Sequence, residues 1–80
     1  MDTAVIYEKV KEILVKELGV SSASVDMDTS IRSDLGADDT DLVDILLDLE
    51  ETFDISITDS DFEDIDTVGD AVEYIKSEMD

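Results

Sequence analysis

Any chemistry this chain performs would have to be done by carboxylates. Of its 80 residues, 24 are Asp or Glu and 5 are Lys or Arg, with no His and no Cys. The usual general base, the commonest metal ligand and the thiolate nucleophile are therefore missing. Paired carboxylates can act as acid and base only in a cleft that splits their pKa values, and so short a chain offers little room for one. It is not expected to be an enzyme. Calcium is the next chemistry to weigh, because Asp59, Asp61 and Glu63 alternate and Asp70 stands twelfth in "DSDFEDIDTVGD". The sixth position, where such a loop needs glycine for its sharp turn, is Asp64. The pattern supports loose divalent-cation binding that relieves repulsion, and no specific metal site.

A formal net charge of −19 narrows the partners. Phosphate backbones need clustered Lys and Arg, so nucleic acid is not expected. An anionic membrane is disfavoured for the same reason, whereas a basic protein surface is favoured. The N-terminus is interrupted by Asp2, Glu8, Lys9, Lys11 and Glu12, unlike a signal or spanning segment. A soluble, cytoplasmic monomer is the expectation. The apolar fraction of 42% is near normal and regularly patterned, which argues against disorder.

The elements that must position the carboxylates are amphipathic. From Thr3 to about Leu18, the residues Ile6, Val10, Ile13 and Leu14 form one helical stripe, capped by Asp2 or Thr3 and ended by Gly19. A long loop follows, in which Val20, Val25, Met27, Ile31 and Leu35 are expected to dip into the core. Asp38 caps a second helix, with Asp41 at its third position; Leu42, Ile45, Leu46, Leu49 and Phe53 form the inward stripe. An extended link leads to a helical turn around Asp59 to Asp64. Thr67 then caps a last helix carrying Val68, Ala71, Val72 and Ile75. The expected fold is all-α: residues 1–80 as one domain, three main helices plus one short one, with the long loop between the first and second.

The stretch "LGADDTDLVDILLDLEETFDI" holds the most informative surface. Val43 and Leu47 fall outside the inward stripe, bordered by Asp44, Asp48, Glu50 and Glu51. An apolar pair ringed by carboxylates suits a partner offering Arg and Lys around a shallow apolar groove.

In "VKEILVKELGV", "DLGAD", "DLVDILLDLEETFDISI" and "DTVGDAVEYI", taken in order, the chain resembles the acyl carrier proteins over essentially its whole length. The resemblance implies a four-helix bundle that carries acyl groups as thioesters on a 4′-phosphopantetheine arm, in fatty-acid or related lipid or polyketide biosynthesis. It implies a partner-binding face at Asp38, Val43, Asp44, Leu47, Glu50 and Glu51. It also implies an acyl cavity lined by Val10, Ile31, Leu49, Ile57, Phe62 and Ile65. In the family the arm hangs from a serine directly after "GAD"; here that position is Asp39, and the leucine that follows is Thr40. A carboxylate offers no alcohol to esterify, so no cofactor is expected on the chain as written. Thr40 has a hydroxyl, but it lies about 100° around the helix and is β-branched, which makes it a poor substitute. Without an arm, the interior would be filled by side chains such as Phe62.

Asp39 has three readings: a simple aid to helix initiation, a mimic of the arm's phosphate charge, or a deliberate replacement of the serine. Thr58 stands where the family commonly has proline, which is expected to loosen the link into the short helix. Besides an inherited carrier or docking module, two alternatives remain. One is a decoy that binds carrier-dependent enzymes through the acidic second helix; the other is a divalent-cation-responsive acidic module.

Overall fold

Each helix begins where a side chain can accept the first orphan N–H groups, and the first two long helices end at a left-handed residue. In a computed structural model that describes residues 1–79, α1 spans Thr3–Leu18, α2 Asp39–Phe53, α3 Asp59–Glu63 and α4 Val68–Met79. Asp80, the last residue of the expected 1–80 domain, lies outside the described residues. Asp2 caps α1 by accepting from Ala4 N at 3.1 Å, and Gly19 closes it at φ 66°. Asp38 and Asp41 form a reciprocal capping box at the start of α2. Asp54 ends α2 at φ 54°, a conformation Asp tolerates better than most side chains.

The architecture is the expected one, an all-helical bundle with three long helices, one short one and a long loop between the first two. Helix α1 packs against both α2 and α4. Their apolar stripes meet in one aliphatic core that includes Ile6, Val10, Leu14, Ile45, Leu49, Val68, Val72 and Ile75, each buried almost completely. Phe53 and Phe62 supply its aromatic part.

The long loop is ordered chiefly by polar contacts to α4. Val68 N donates to Thr29 O at 2.9 Å and Gly69 N to Met27 O at 2.8 Å, so the loop satisfies two of the orphan N–H groups of α4. Asp66 accepts from Ser30 Oγ at 2.8 Å, and Ile31 N donates back to Asp66 O at 2.9 Å. Val25 and Ile31 are buried, and Val20 and Leu35 are half-buried, much as their apolarity suggested. Met27 is a correction. Its side chain is 38% exposed because its carbonyl, turned to Gly69, fixes the residue at the rim of the core.

That carbonyl also fixes the residue type at 69. A Cβ on Gly69 would lie 2.9 Å from Met27 O, a backbone atom already engaged. Gly69→Ala is expected to destabilise the protein by about 1–3 kcal/mol, despite the better helix propensity of Ala. Thermal melting checks it: at about 4–8 °C per kcal/mol, the midpoint should fall measurably, and an unchanged or raised midpoint would refute the close approach.

Candidate functional site

Helix α2 presents two apolar faces because its apolar residues exceed what one buried stripe can hold. Ile45, Leu49 and Phe53 face the core. Val43 and Leu47, one turn apart, are 55% and 57% exposed. Asp38, Asp44 and Glu51 are exposed on the same helix or its cap. Two further acids are engaged within the fold. Asp48 turns toward α1, where Lys16 Nζ lies 3.1 Å from its Oδ2, and Glu50 accepts from Ile57 N at 2.9 Å. Glu50 thus clasps the link that follows its own helix, a task its place in an acidic run does not disclose.

The charges on α2 are only half matched to its dipole. Asp39 and Asp41 sit in the first turn, where negative charge is favourable. Glu50 and Glu51 sit near the opposite, negative end, and the last turn has no basic residue. Acids at that end oppose the helix dipole; Glu50 is explained by its bond to Ile57 N, whereas Glu51 has no such contact among the described residues.

Between α2 and α3 runs a cleft of about 480 Å³. Leu42, Val43, Leu46 and Phe62 line it, together with Asp39, Asp59, Glu63 and Arg32. Asp39 is the first residue of α2 and is exposed, and the neighbouring Thr40 is exposed as well. Of the six positions expected around an acyl chain, Phe62 lines this cleft, while Val10, Ile31, Leu49, Ile57 and Ile65 are buried in the core.

Helix α3 is held by side chains from three directions. Arg32 Nη1 donates to Ile65 O at 2.6 Å, and its guanidinium lies 6.0 Å from the centroid of the Phe62 ring. Tyr74 Oη donates to Asp61 Oδ2 at 3.0 Å; burial, then the Asp61 carboxylate, push the Tyr74 hydroxyl up to about 12. Thr58 Oγ1 accepts from Asp61 N at 3.1 Å and caps the helix. This cap is one a proline could not supply, and the spacing of Thr58 and Asp61 carried its signal. Arg32 is the only cation between residues 17 and 75.

Two of the acids expected to approach calcium, Asp61 and Asp70, hold other partners. Asp59, Asp61 and Glu63 belong to α3, and Asp70 accepts from Thr67 N and Asp66 N, each at 3.1 Å. Among the described residues no group of three or more metal-ligating side chains gathers around one point. No described helix is long and apolar enough to cross a membrane.

Lys16, Glu17 and Asp48 form a charged cluster between α1 and α2, with Lys16 Nζ 3.6 Å from Glu17 Oε1. Hydrogen bonding to Asp48 raises Glu17 above its usual 4.5, while hydrogen bonding to Glu17 and then Lys16 lowers Asp48 below 3.8. Hydrogen bonds from Thr67 and Asp66 N–H groups lower Asp70 likewise. A raised acid stabilises the fold below its unfolded value and loses that contribution as pH rises through the folded one. A lowered acid contributes above its unfolded value and loses it as pH falls through the folded one. Stability is therefore expected to rise as pH drops from neutral toward about 4.5, then to fall in stronger acid. Glu17→Gln, which can donate to Asp48 at any pH, should raise the neutral melting point and flatten the rise. Melts of both proteins at pH 5 and pH 7 check this; parallel shifts would sink it.

The chain and its fold are similar to known proteins. A profile of the family described as "Phosphopantetheine attachment site" matches residues 8–75. Among solved structures, an acyl carrier protein from Enterococcus faecalis is similar, with a TM-score of 0.83 and 35% identity over 98% of this chain and 99% of that one.

Proposed function

We propose, from the premise that this chain belongs to the phosphopantetheine-attachment family of acyl carrier domains, that it is a carrier-derived docking module not charged through Asp39. Members of this family are non-enzymatic; they carry 4′-phosphopantetheine and interact with synthase and acyl-transfer enzymes. The pathway we assign is fatty-acid or related thioester biosynthesis in the cytoplasm, with the chain acting as a monomer.

The observation that carries the reading is chemical. We take Asp39 to occupy the family's attachment position, and the residues there do not fit a phosphodiester. The first residue of α2 has no hydroxyl, and the capping box already binds the Asp38 and Asp41 carboxylates at that helix end. A phosphodiester would add one more negative charge beside three carboxylates, Asp38, Asp39 and Asp41. Thr40, exposed on the next position, points about 100° away around the helix.

Docking would fall to the exposed part of α2. Val43 and Leu47 give the partner an apolar contact, and Asp38, Asp44 and Glu51 would meet its Lys and Arg. Glu50 would contribute from its clasped position. The position of Glu51, exposed at the negative end of the helix dipole, supports this, because an acid that opposes folding needs another reason to be there. If Asp39 stands in for the arm's phosphate charge, the same surface makes the chain a decoy for carrier-dependent enzymes. Inhibition of thioester synthesis in a reconstituted system would favour that second reading.

Intact-mass spectrometry after incubation with coenzyme A and a promiscuous phosphopantetheinyl transferase tests the leading reading. The expected spectrum shows no adduct. A pantetheine-sized gain on Thr40 or any other residue would overturn it.

A further inference from the structure

Helix α3 is fastened on either side and bonded little between. In front of it Ile57 N donates to Glu50 Oε2 at 2.9 Å. Behind it Asp66 accepts from Ile31 N at 2.9 Å and from Ser30 Oγ at 2.8 Å. Among the described residues, the backbone of 58–65 bonds to no other backbone: Phe62 N donates to Thr58 O, Asp64 N to Asp61 O and Ile65 N to Phe62 O. A helix of five residues does not persist alone in water, because so few bonds cannot offset the cost of nucleation. It keeps its shape only while other groups hold it to the core. Phe62 and Ile65 do so by burial, and two side chains do so by hydrogen bonds, Tyr74 to Asp61 and Arg32 to Ile65 O. The Tyr74 bond is exposed, so water replaces it at little cost. The Arg32 bond is charge-assisted and partly buried, and the same guanidinium lies against the Phe62 ring. Arg32 thus grips both residues by which α3 enters the core. It does so in a chain of 24 acids, beside Asp39, Asp59 and Glu63, yet no described carboxylate lies within 4.0 Å of it. A cation seated on a carbonyl and a ring, with carboxylates at hand, is positioned for those neutral groups.

We propose that Arg32 is a strap that keeps α3 closed on the core and sets how often this segment opens by itself. The strap has a fixed origin, because Ser30, Ile31 and the contacts of Thr29 and Met27 with α4 anchor the loop that carries it. Opening separates the guanidinium from Ile65 O and Phe62 and exposes Phe62 and Ile65, while α1 stays packed on α2 and α4. A hydrogen bond to a charged group shifts such an equilibrium about ten- to a hundredfold. The reading of Asp39 plays no part, so the strap stands whether or not that residue is an attachment position.

The test is native-state hydrogen exchange on the full chain, read amide by amide by NMR across low urea concentrations. Because α3 cannot stay helical once released, its amides report the release. In the parent, Phe62 and Ile65 exchange through an opening that urea hardly accelerates, whereas Leu14 and Val72 exchange through global unfolding and speed up steeply. Arg32→Gln is expected to speed the α3 amides about ten- to a hundredfold without giving them urea dependence. Lys9→Gln, which removes the same charge from α1, leaves them as in the parent. Unchanged α3 rates in Arg32→Gln would overturn the proposal, as would equal effects of the two substitutions. A urea dependence shared by all four amides, in the parent and in Arg32→Gln, would mean that α3 unfolds only with the whole bundle, and would overturn it too.

Discussion

Asp39→Ser is expected to turn a protein that stays at its unmodified mass into one that accepts 4′-phosphopantetheine. The substitution restores an alcohol oxygen at the first residue of α2, on an exposed turn, and leaves the Asp38–Asp41 capping box in place. Removing one charge from that helix end costs about 0.3–1 kcal/mol, too little to unfold the bundle. Circular dichroism should therefore be unchanged while the mass spectrum gains a pantetheine-sized peak. The neighbouring Thr40 replaces a leucine in the family pattern, so Asp39→Ser with Thr40→Leu is the companion protein. Loading of the double variant alone would mean that the transferase also reads the apolar neighbour. If neither variant loads, Asp39 is not the attachment position, and the account of this chain as an uncharged carrier fails.

The second large effect is on stability. Ile45 lies fully buried at the middle of α2, where it meets the aliphatic core. Ile45→Ala should cost about 2–5 kcal/mol, from lost burial and the cavity left behind. A domain of this length has only about 4–12 kcal/mol in total. Crowded like charges, 24 acids against 5 bases, leave this one toward the lower end of that range. The melting midpoint should drop by roughly 10–30 °C, or the transition should lose its cooperativity. Leu47→Ala, two residues along the same helix but 57% exposed, should stay within about 0.5 kcal/mol of the parent. Comparable losses at the two positions would mean that α2 does not seat on the core by the Ile45 face.

The contrast between Ile45 and Leu47 was legible before any coordinates. Spacing at three and four residues separates the inward stripe from the second apolar pair, and geometry internal to the helix fixes that separation. The same local logic gave the ends of the helices. A cap acts within three residues of itself, so Asp2, Asp38, Gly19 and the Thr67–Asp70 pair could be read from their neighbours alone. Thr58 obeys the same rule, three residues before Asp61.

What lay beyond the sequence were relations between residues far apart in it. Asp44 and Asp48 look alike as letters, yet Asp48 faces Lys16 across a helix interface while Asp44 is exposed. Glu50 reaches Ile57, Arg32 reaches Ile65 and Tyr74 reaches Asp61. Met27 looked like a core residue until the start of α4 claimed its carbonyl. Helical periodicity determined by itself which side of each segment is apolar, because backbone geometry sets it within a few residues. Only the tertiary structure decided which carboxylates remain free for a partner, because that depends on which groups chain packing brings within hydrogen-bond reach.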